Sequence, residues 1–351
     1  MGRQAELDIA TAQTIESADA AEATGAAAVP PRPADVIGEL PVGWDLPRTG
    51  HVRLGPLPGN WSLDRVVRSH GWCGLPPNAY DRGRQRFHRT LELPDAGPLT
   101  VTVSAAGTVS WGRTTATPSD RRLIKATMRR MLCLDVDVSE LHRACAGFPA
   151  LAWVSKVGGG RLLRSPTVWE DLARMLATTN CSWSLTRSML TKLVDTLGTE
   201  GPAGERAFPS RDAVVRAGVD HLRDVVRAGY RAESFVALAA TDEPIESWLD
   251  PSVADDEVQA AILRLRGFGP YAAQGMLGLL GRPRGLAIDS WVRAKLPALL
   301  GLSERMTDAE IAARYAPLGQ WAGWGLWLEL TKDWFDESAG ETQPRIPVTT
   351  E

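Results

Sequence analysis

The hydrophobic period of this chain changes once, near residue 120, and this change limits the folds open to it. Before that point, residues 99–103 alternate apolar and polar side chains, Ala106-Gly107 supplies a turn, and 86–93 predicts an earlier strand of the same sheet. After it, the apolar spacing is helical and indicates about ten short helices. The pattern predicts an α+β protein with a small antiparallel β-rich N-terminal domain over 38–118 and a larger all-α domain over 119–336.

The two ends of the chain differ in composition from the rest. Residues 1–37 are rich in alanine, threonine and acidic side chains, and 337–351 resemble them, so we expect a disordered leader and a disordered tail. Residues 1–37 carry a net charge of −4 and 336–351 carry −3, so 38–335 carry +4 within a total of −3. This mildly basic central part permits an anionic partner without requiring one.

Composition also argues against several classes of protein. The sequence has no run of about 20 apolar residues and does not begin like a signal peptide, so we expect a cytoplasmic protein with no membrane partner. The spacing of its four cysteines includes no C-x-x-C pair, so buried thiols are predicted rather than a metal site or disulfides. We therefore expect no metal and no cofactor. The cysteines are Cys73, Cys133, Cys145 and Cys181.

The segment 256–273, DEVQAAILRLRGFGPYAA, combines a helical apolar stripe with a tight bend. Gly267 and Gly269 permit backbone angles that other residues resist, and Pro270 suits the first turn of a second helix. The segment predicts helix, tight hairpin, helix. Because the start of a helix favours an anion, Gly267, Phe268 and Gly269 are the predicted contact for a DNA phosphate.

Two features of this region have alternative interpretations. Gly267-x-Gly269-x-x-Ala272 fits the loose dinucleotide-binding pattern, but that pattern needs a preceding strand, and a charged amphipathic helix is predicted there instead. Asp289 follows three apolar residues and precedes a predicted helix. It is either an N-cap or a catalytic acid, and the local pattern by itself favours the cap.

Together these motifs resemble the helix-hairpin-helix (HhH-GPD) DNA glycosylase superfamily, nearest its 8-oxoguanine and 3-methyladenine branches. In that superfamily an essential aspartate follows the hairpin at the position of Asp289. The resemblance covers 120–335 well and the β-rich part more loosely. Further landmarks that look like those of the superfamily are Arg129–Asp137, Gly159–Arg164, Thr178–Asn180 and Tyr315–Trp324.

The resemblance implies a nucleoid-associated, monomeric base-excision-repair enzyme that extrudes a damaged base from double-stranded DNA and hydrolyses its N-glycosidic bond. Asp289 is then expected to be catalytic, because a carboxylate stabilises the positive charge that develops on the sugar. Bifunctional members carry a lysine where this chain has Tyr271. Tyrosine cannot form an imine, so we expect a monofunctional enzyme, with Lys295 and Lys332 as surface charges.

The resemblance also suggests residues that contact the base. Asn180 is expected either to fill the gap left by the extruded base or to cap the helix that follows. Trp183, Tyr271 and Trp291 are expected to stack on the base or to support the pocket wall.

The last helix bears on the substrate. The 8-oxoguanine branch uses a glutamine and a phenylalanine there, at positions that match Leu326 and Leu330, so an alkylated purine is favoured. An 8-oxoguanine glycosylase and a non-catalytic helix-hairpin-helix DNA-binding protein are the alternatives.

Overall fold

The computed structural model describes residues 48–112, 116–201 and 204–335, so the predicted leader and tail lie outside the described residues. A small antiparallel sheet is followed by a mostly helical part, which confirms the predicted α+β class. The division into two domains near 118 remains a prediction. Among the described residues, no helix has both the length and the apolar character needed to cross a bilayer.

The sheet has five strands in the order β1-β5-β4-β3-β2, and every neighbouring pair is antiparallel. The strand predicted at 86–93 and the hairpin predicted around Ala106-Gly107 are both present. The first two strands escaped prediction because they are short and rich in polar residues. The strands are β1 (Arg48–Arg53), β2 (Asn78–Asp81), β3 (Arg86–Leu93), β4 (Gly97–Ser104) and β5 (Thr108–Gly112).

Thirteen α-helices lie in the described residues, and all but the first follow the sheet. They are α1 (Leu63–Val67), α2 (Pro118–Met131), α3 (Ser139–Ala146), α4 (Val154–Val157), α5 (Val168–Thr178), α6 (Trp183–Leu197), α7 (Arg211–Asp224), α8 (Ala232–Ala239), α9 (Asp255–Arg264), α10 (Pro270–Leu279), α11 (Ser290–Leu299), α12 (Asp308–Tyr315) and α13 (Ala322–Leu330).

The starts of these helices follow from local chemistry. Thr117 begins α2 with a reciprocal capping box to Asp120, and Thr167 and Ser182 cap α5 and α6 with their hydroxyls. Helix α7 is kinked at Gly218, which has a φ of 73°.

Buried apolar side chains form two clusters. The larger joins the inner face of the sheet to α5, α8, α9 and α10, and the smaller joins α3, α11, α12 and α13. Buried ion pairs tie the sheet to α5: Glu170 binds Arg89 of β3 at 2.5 Å and Arg174 one turn further along α5 at 2.6 Å. All four cysteines are buried and unpaired, as predicted.

Candidate active site

The predicted hairpin is present and is fixed from inside. Helix α9 ends at Arg264, Gly267 has a φ of 92°, and Gly269 is the N-cap of α10 with Pro270 as its first residue. A Cβ at Gly267 would lie 2.7 Å from Leu176 Cδ1, so a larger residue would be strained by the positive φ and would require the Leu176 side chain to shift. Since a helix and not a strand precedes Gly267, the structure does not have the dinucleotide-binding arrangement.

Phe268 differs from its two glycine neighbours. Its side chain is only 7% exposed and packs in the larger core cluster, and its N–H donates to the carbonyl of Leu265 at 3.2 Å. That N–H is therefore already used within the hairpin. The first-turn N–H groups of α10 have no partner within the helix and are the donors open to an anion.

Asp289 combines the two interpretations that its sequence context allows. It is the N-cap of α11, and its Oδ1 accepts a hydrogen bond from the Val292 N–H at 2.8 Å. It also lines an aromatic-rich cavity beside the hairpin. Burial raises the pKa of this carboxyl above its ordinary value, although the backbone hydrogen bonds and the Arg293 guanidinium act in the opposite direction.

The cavity has a volume of about 470 Å³ and collects residues from distant parts of the chain. The turn after α1, the loop between α5 and α6, the hairpin, α10, the start of α11 and α13 all contribute. Seven of the eight predicted site residues line it, and Phe268 is the exception. The seven are Asn180, Trp183, Gly267, Gly269, Tyr271, Asp289 and Trp291.

Tyr271 stands where the resemblance predicts the lysine of bifunctional enzymes. Its side chain lines the cavity but remains 36% exposed. Burial of the hydroxyl and the negative charge of Asp289 both raise its pKa well above the ordinary value for tyrosine. The phenol therefore stays neutral at any physiological pH and can donate a hydrogen bond inside the cavity.

Asn180 lies in the loop between α5 and α6 with a φ of 44°. The helix-cap interpretation of Asn180 is wrong, because Ser182 caps α6 by accepting from the Leu185 N–H. Arg231 holds the loop from beneath, donating to the carbonyl oxygen of Thr179 at 3.0 Å and to that of Asn180 at 2.7 Å. Sequence reasoning missed Arg231, whose contribution depends on contacts across about 50 residues of chain.

The aromatic wall of the cavity was only partly foreseen. His70 and Trp72 come from the sheet side and Trp327 from α13, and the His70 ring lies 4.2 Å from that of Trp72 and 5.3 Å from that of Trp327. The Trp72 indole is held in place because its Nε1 donates to the buried Asp171 of α5 at 3.0 Å. Leu326 and Leu330 also line the cavity.

Neither of the two lysines named in the sequence analysis lines the cavity. Lys295 Nζ lies 3.3 Å from Asp333 and 5.1 Å from the centre of the Trp291 ring, and Lys332 is exposed. Within the ranges that the structure describes, no group of three or more histidine, cysteine, aspartate or glutamate side chains could hold a metal ion.

Comparisons with known proteins bear on the fold. No protein-family profile matches the sequence, and no functionally described protein matches it significantly. Among solved structures, a 3-methyladenine DNA glycosylase from Archaeoglobus fulgidus superposes with a TM-score of 0.64 at 20% identity, over 82% of this chain and 99% of that one.

Two further structures agree with it. MBOgg1 in complex with a low-affinity DNA ligand gives a TM-score of 0.59 at 17% identity, over 78% of this chain and 93% of that one. The 8-oxoguanine glycosylase/lyase of Clostridium acetobutylicum, in complex with DNA containing cytosine opposite 8-oxoguanine, gives a TM-score of 0.59 at 16% identity. The match covers 78% of this chain and 92% of that one. This chain therefore has the fold of the helix-hairpin-helix DNA glycosylases.

Proposed function

We propose that this protein is a monomeric, monofunctional DNA glycosylase that releases an alkylated purine from double-stranded DNA. One observation carries the proposal. Asp289, whose pKa is raised by burial, lines the same aromatic cavity as the bend of the helix-hairpin-helix segment. The similarity of fold to glycosylases of known substrate supports it.

Different residues around the cavity bind the DNA and hold the extruded base. The N–H groups at the start of α10 bind a phosphate and fix the register of the duplex, and Asn180 enters the gap left by the extruded base. The base stacks against the tryptophans of the cavity. A cationic alkylpurine is attracted to such aromatic faces and is also a good leaving group.

Asp289 acts on the sugar. As the glycosidic bond breaks, positive charge develops on the deoxyribose, and a fixed carboxylate in a partly dehydrated site stabilises it. The same oxygen atoms can orient the attacking water. No lysine is among the residues that line the cavity, so hydrolysis leaves an intact abasic site.

The test uses the full chain with two substrates: duplex DNA treated with a methylating agent, and duplex carrying 8-oxoguanine. We expect methylpurines to be released, 8-oxoguanine to be retained, and strands to break only after hot alkali. Asp289→Asn should lower release by on the order of 10²-fold. Strand breaks before alkali that borohydride traps, or no release of any methylated base, would contradict the proposal.

One observation favours a non-catalytic DNA-binding protein: the N-cap hydrogen bond gives Asp289 a structural role of its own. Asparagine keeps that hydrogen bond but removes the charge. If the unchanged protein and Asp289→Asn bound DNA equally well and neither released a base, Asp289 would be only a cap and the protein would be non-catalytic.

A further inference from the structure

The loop between α5 and α6 is held by hydrogen bonds from side chains. The Thr179 hydroxyl donates to the Leu176 carbonyl at 2.8 Å, and the Thr186 hydroxyl donates to the Ala177 carbonyl at 3.1 Å. These bonds satisfy carbonyl groups that a helix leaves without partners in its last turn. The backbone that leads to Asn180 is therefore fixed, and the conformation of Asn180 depends on the contacts of its own peptide groups.

Asn180 is exposed and has a left-handed backbone conformation, with a φ of 44°. Residues other than glycine adopt this conformation rarely, and it persists where neighbouring groups hold it. The guanidinium of Arg231 supplies that support. Its Nη2 donates to the Asn180 carbonyl at 2.7 Å, and its Nε donates to the Thr179 carbonyl at 3.0 Å. These carbonyls belong to the peptide groups on either side of Asn180, so one rigid, planar group fixes both of its backbone angles.

Arg231 is itself held in one position. It is only 6% exposed, and its guanidinium carbon lies 4.4 Å from the centre of the Tyr230 ring. The carbonyl end of α5, which it contacts, carries partial negative charge and favours a cation. Burial leaves Arg231 little surface with which to contact DNA, so its effect on DNA has to pass through the loop.

Arg231 also connects this loop to the hairpin. It directly precedes α8, and Ser234 in the first turn of that helix packs against the bend, since a Cβ at Gly267 would lie 3.2 Å from Ser234 Oγ. Leu176, in the last turn of α5, lies against the same glycine. Helices α5 and α8 therefore hold Asn180 and the predicted phosphate contact at a fixed spacing.

We propose that Arg231 is a positioning residue for base extrusion, which holds Asn180 in the backbone conformation that enters the duplex. This inference rests on the proposed function, in which Asn180 fills the gap left by the extruded base, and deepens it. Because the loop is ordered before DNA binds, no binding free energy is used to order it. Loss of the two hydrogen bonds should weaken extrusion from a duplex and leave the cleavage of an unstacked base unchanged.

The first test measures binding and needs no cleavage. The full chain is titrated with two duplexes that differ at one position, where one carries a tetrahydrofuran analogue of an abasic site and the other an ordinary base pair. The analogue already offers a gap, so we expect it to be bound about tenfold more tightly. Asn180→Ala should reduce that preference to about threefold. Arg231→Lys should do the same, because a single ammonium group cannot hold both carbonyls in plane.

The double variant separates positioning from a general structural role. If Arg231 acts through Asn180, Arg231→Lys should change the preference no further once residue 180 is alanine. Arg231→Gln gives the same comparison without a buried charge, and thermal melting shows which variants are folded. Arg143→Lys is the matched control on α3, where the side chain is 75% exposed, and it should keep the full preference. Additive losses in the double variant, or a full preference in Arg231→Lys, would overturn the inference.

Base release gives the second readout. Methylated single strands present bases that need no extrusion from a duplex. Release from methylated duplex should fall about tenfold in Arg231→Lys, while release from methylated single strands should not change. Equal losses on both substrates would assign Arg231 to the stability of the fold and overturn the inference. If the unchanged protein released no base from either substrate, the proposed function would fail, whereas a binding preference that depends on Arg231 would still support the inference.

Discussion

At position 289 one side chain caps a helix and carries a partly buried charge. The cap needs only an oxygen that accepts from the Val292 N–H, whereas the proposed chemistry needs the negative charge. Because capping does not require the charge, a substitution that removes the charge, or a change of pH, can distinguish the capping role from the proposed catalytic role.

The pH dependence of base release should report the ionisation of Asp289. In the proposed mechanism its carboxylate is the active form, and its pKa lies above the ordinary value because of burial. Activity should therefore be lost as pH falls through that raised pKa. Tyr271 and Arg293, the other titratable groups beside it, keep their charge state over this range. Single-turnover rates on methylated DNA give the profile, and a midpoint at or below the ordinary aspartate pKa would contradict this assignment.

The same burial predicts that Asp289 lowers the stability of the protein. A carboxyl whose pKa is raised on folding destabilises the folded state at pH values where it is ionised. Asp289→Asn should therefore raise the melting temperature by a few degrees at neutral pH, and the gain should disappear in acid.

Asp308→Asn is the matched control for that measurement. Asp308 is an exposed acid whose pKa is lowered by its hydrogen bonds and ion pair with Arg293, so its removal should bring no gain at neutral pH. A lower melting temperature for Asp289→Asn at neutral pH would show that the charge at 289 does not oppose folding.

Among the structural elements, the hairpin allows folding and DNA binding to be tested apart. Gly267 has a positive φ and lies against Leu176, whereas Gly269 has a φ of −110° and open space where a Cβ would stand. We expect Gly267→Ala to cost roughly 1–3 kcal/mol of unfolding free energy in urea. Gly269→Ala should unfold like the unchanged protein but bind duplex DNA more weakly, because its methyl group would intrude on the proposed phosphate contact. Equal effects of the two substitutions on stability would contradict this division.

The elements that the sequence predicted are those with strong local signals. Helices α9 and α10, their connecting bend and the β4–β5 hairpin follow from apolar spacing and from turn residues. The positions of His70 and Trp72 in the cavity wall could not be predicted, because the sequence around them has no regular hydrophobic period. Their positions depend on contacts with Asp171 and Trp327.

For the molecule as a whole, the buried pairs of Glu170 connect the sheet to the helices. Glu170→Ala would leave Arg89 and Arg174 buried without their carboxylate, and we expect it to cost about 3–5 kcal/mol. Arg143→Ala removes an ion pair whose arginine is 75% exposed and should cost at most about 0.5 kcal/mol. Urea unfolding measures the free energy of unfolding of both variants. Similar decreases for Glu170→Ala and Arg143→Ala would mean that the buried ion pairs do not hold the sheet to the helices.

The cavity wall that carries His70 and Trp72 belongs to the sheet side, while Asp289, the hairpin and Asn180 belong to the helical part. A chimaera that kept every residue after 118 but took residues 1–118 from a protein of the same fold would retain the proposed cleavage residues and lose one side of the proposed base-binding surface. Such an exchange should alter which lesion is accepted before it alters the rate at which an accepted lesion is removed.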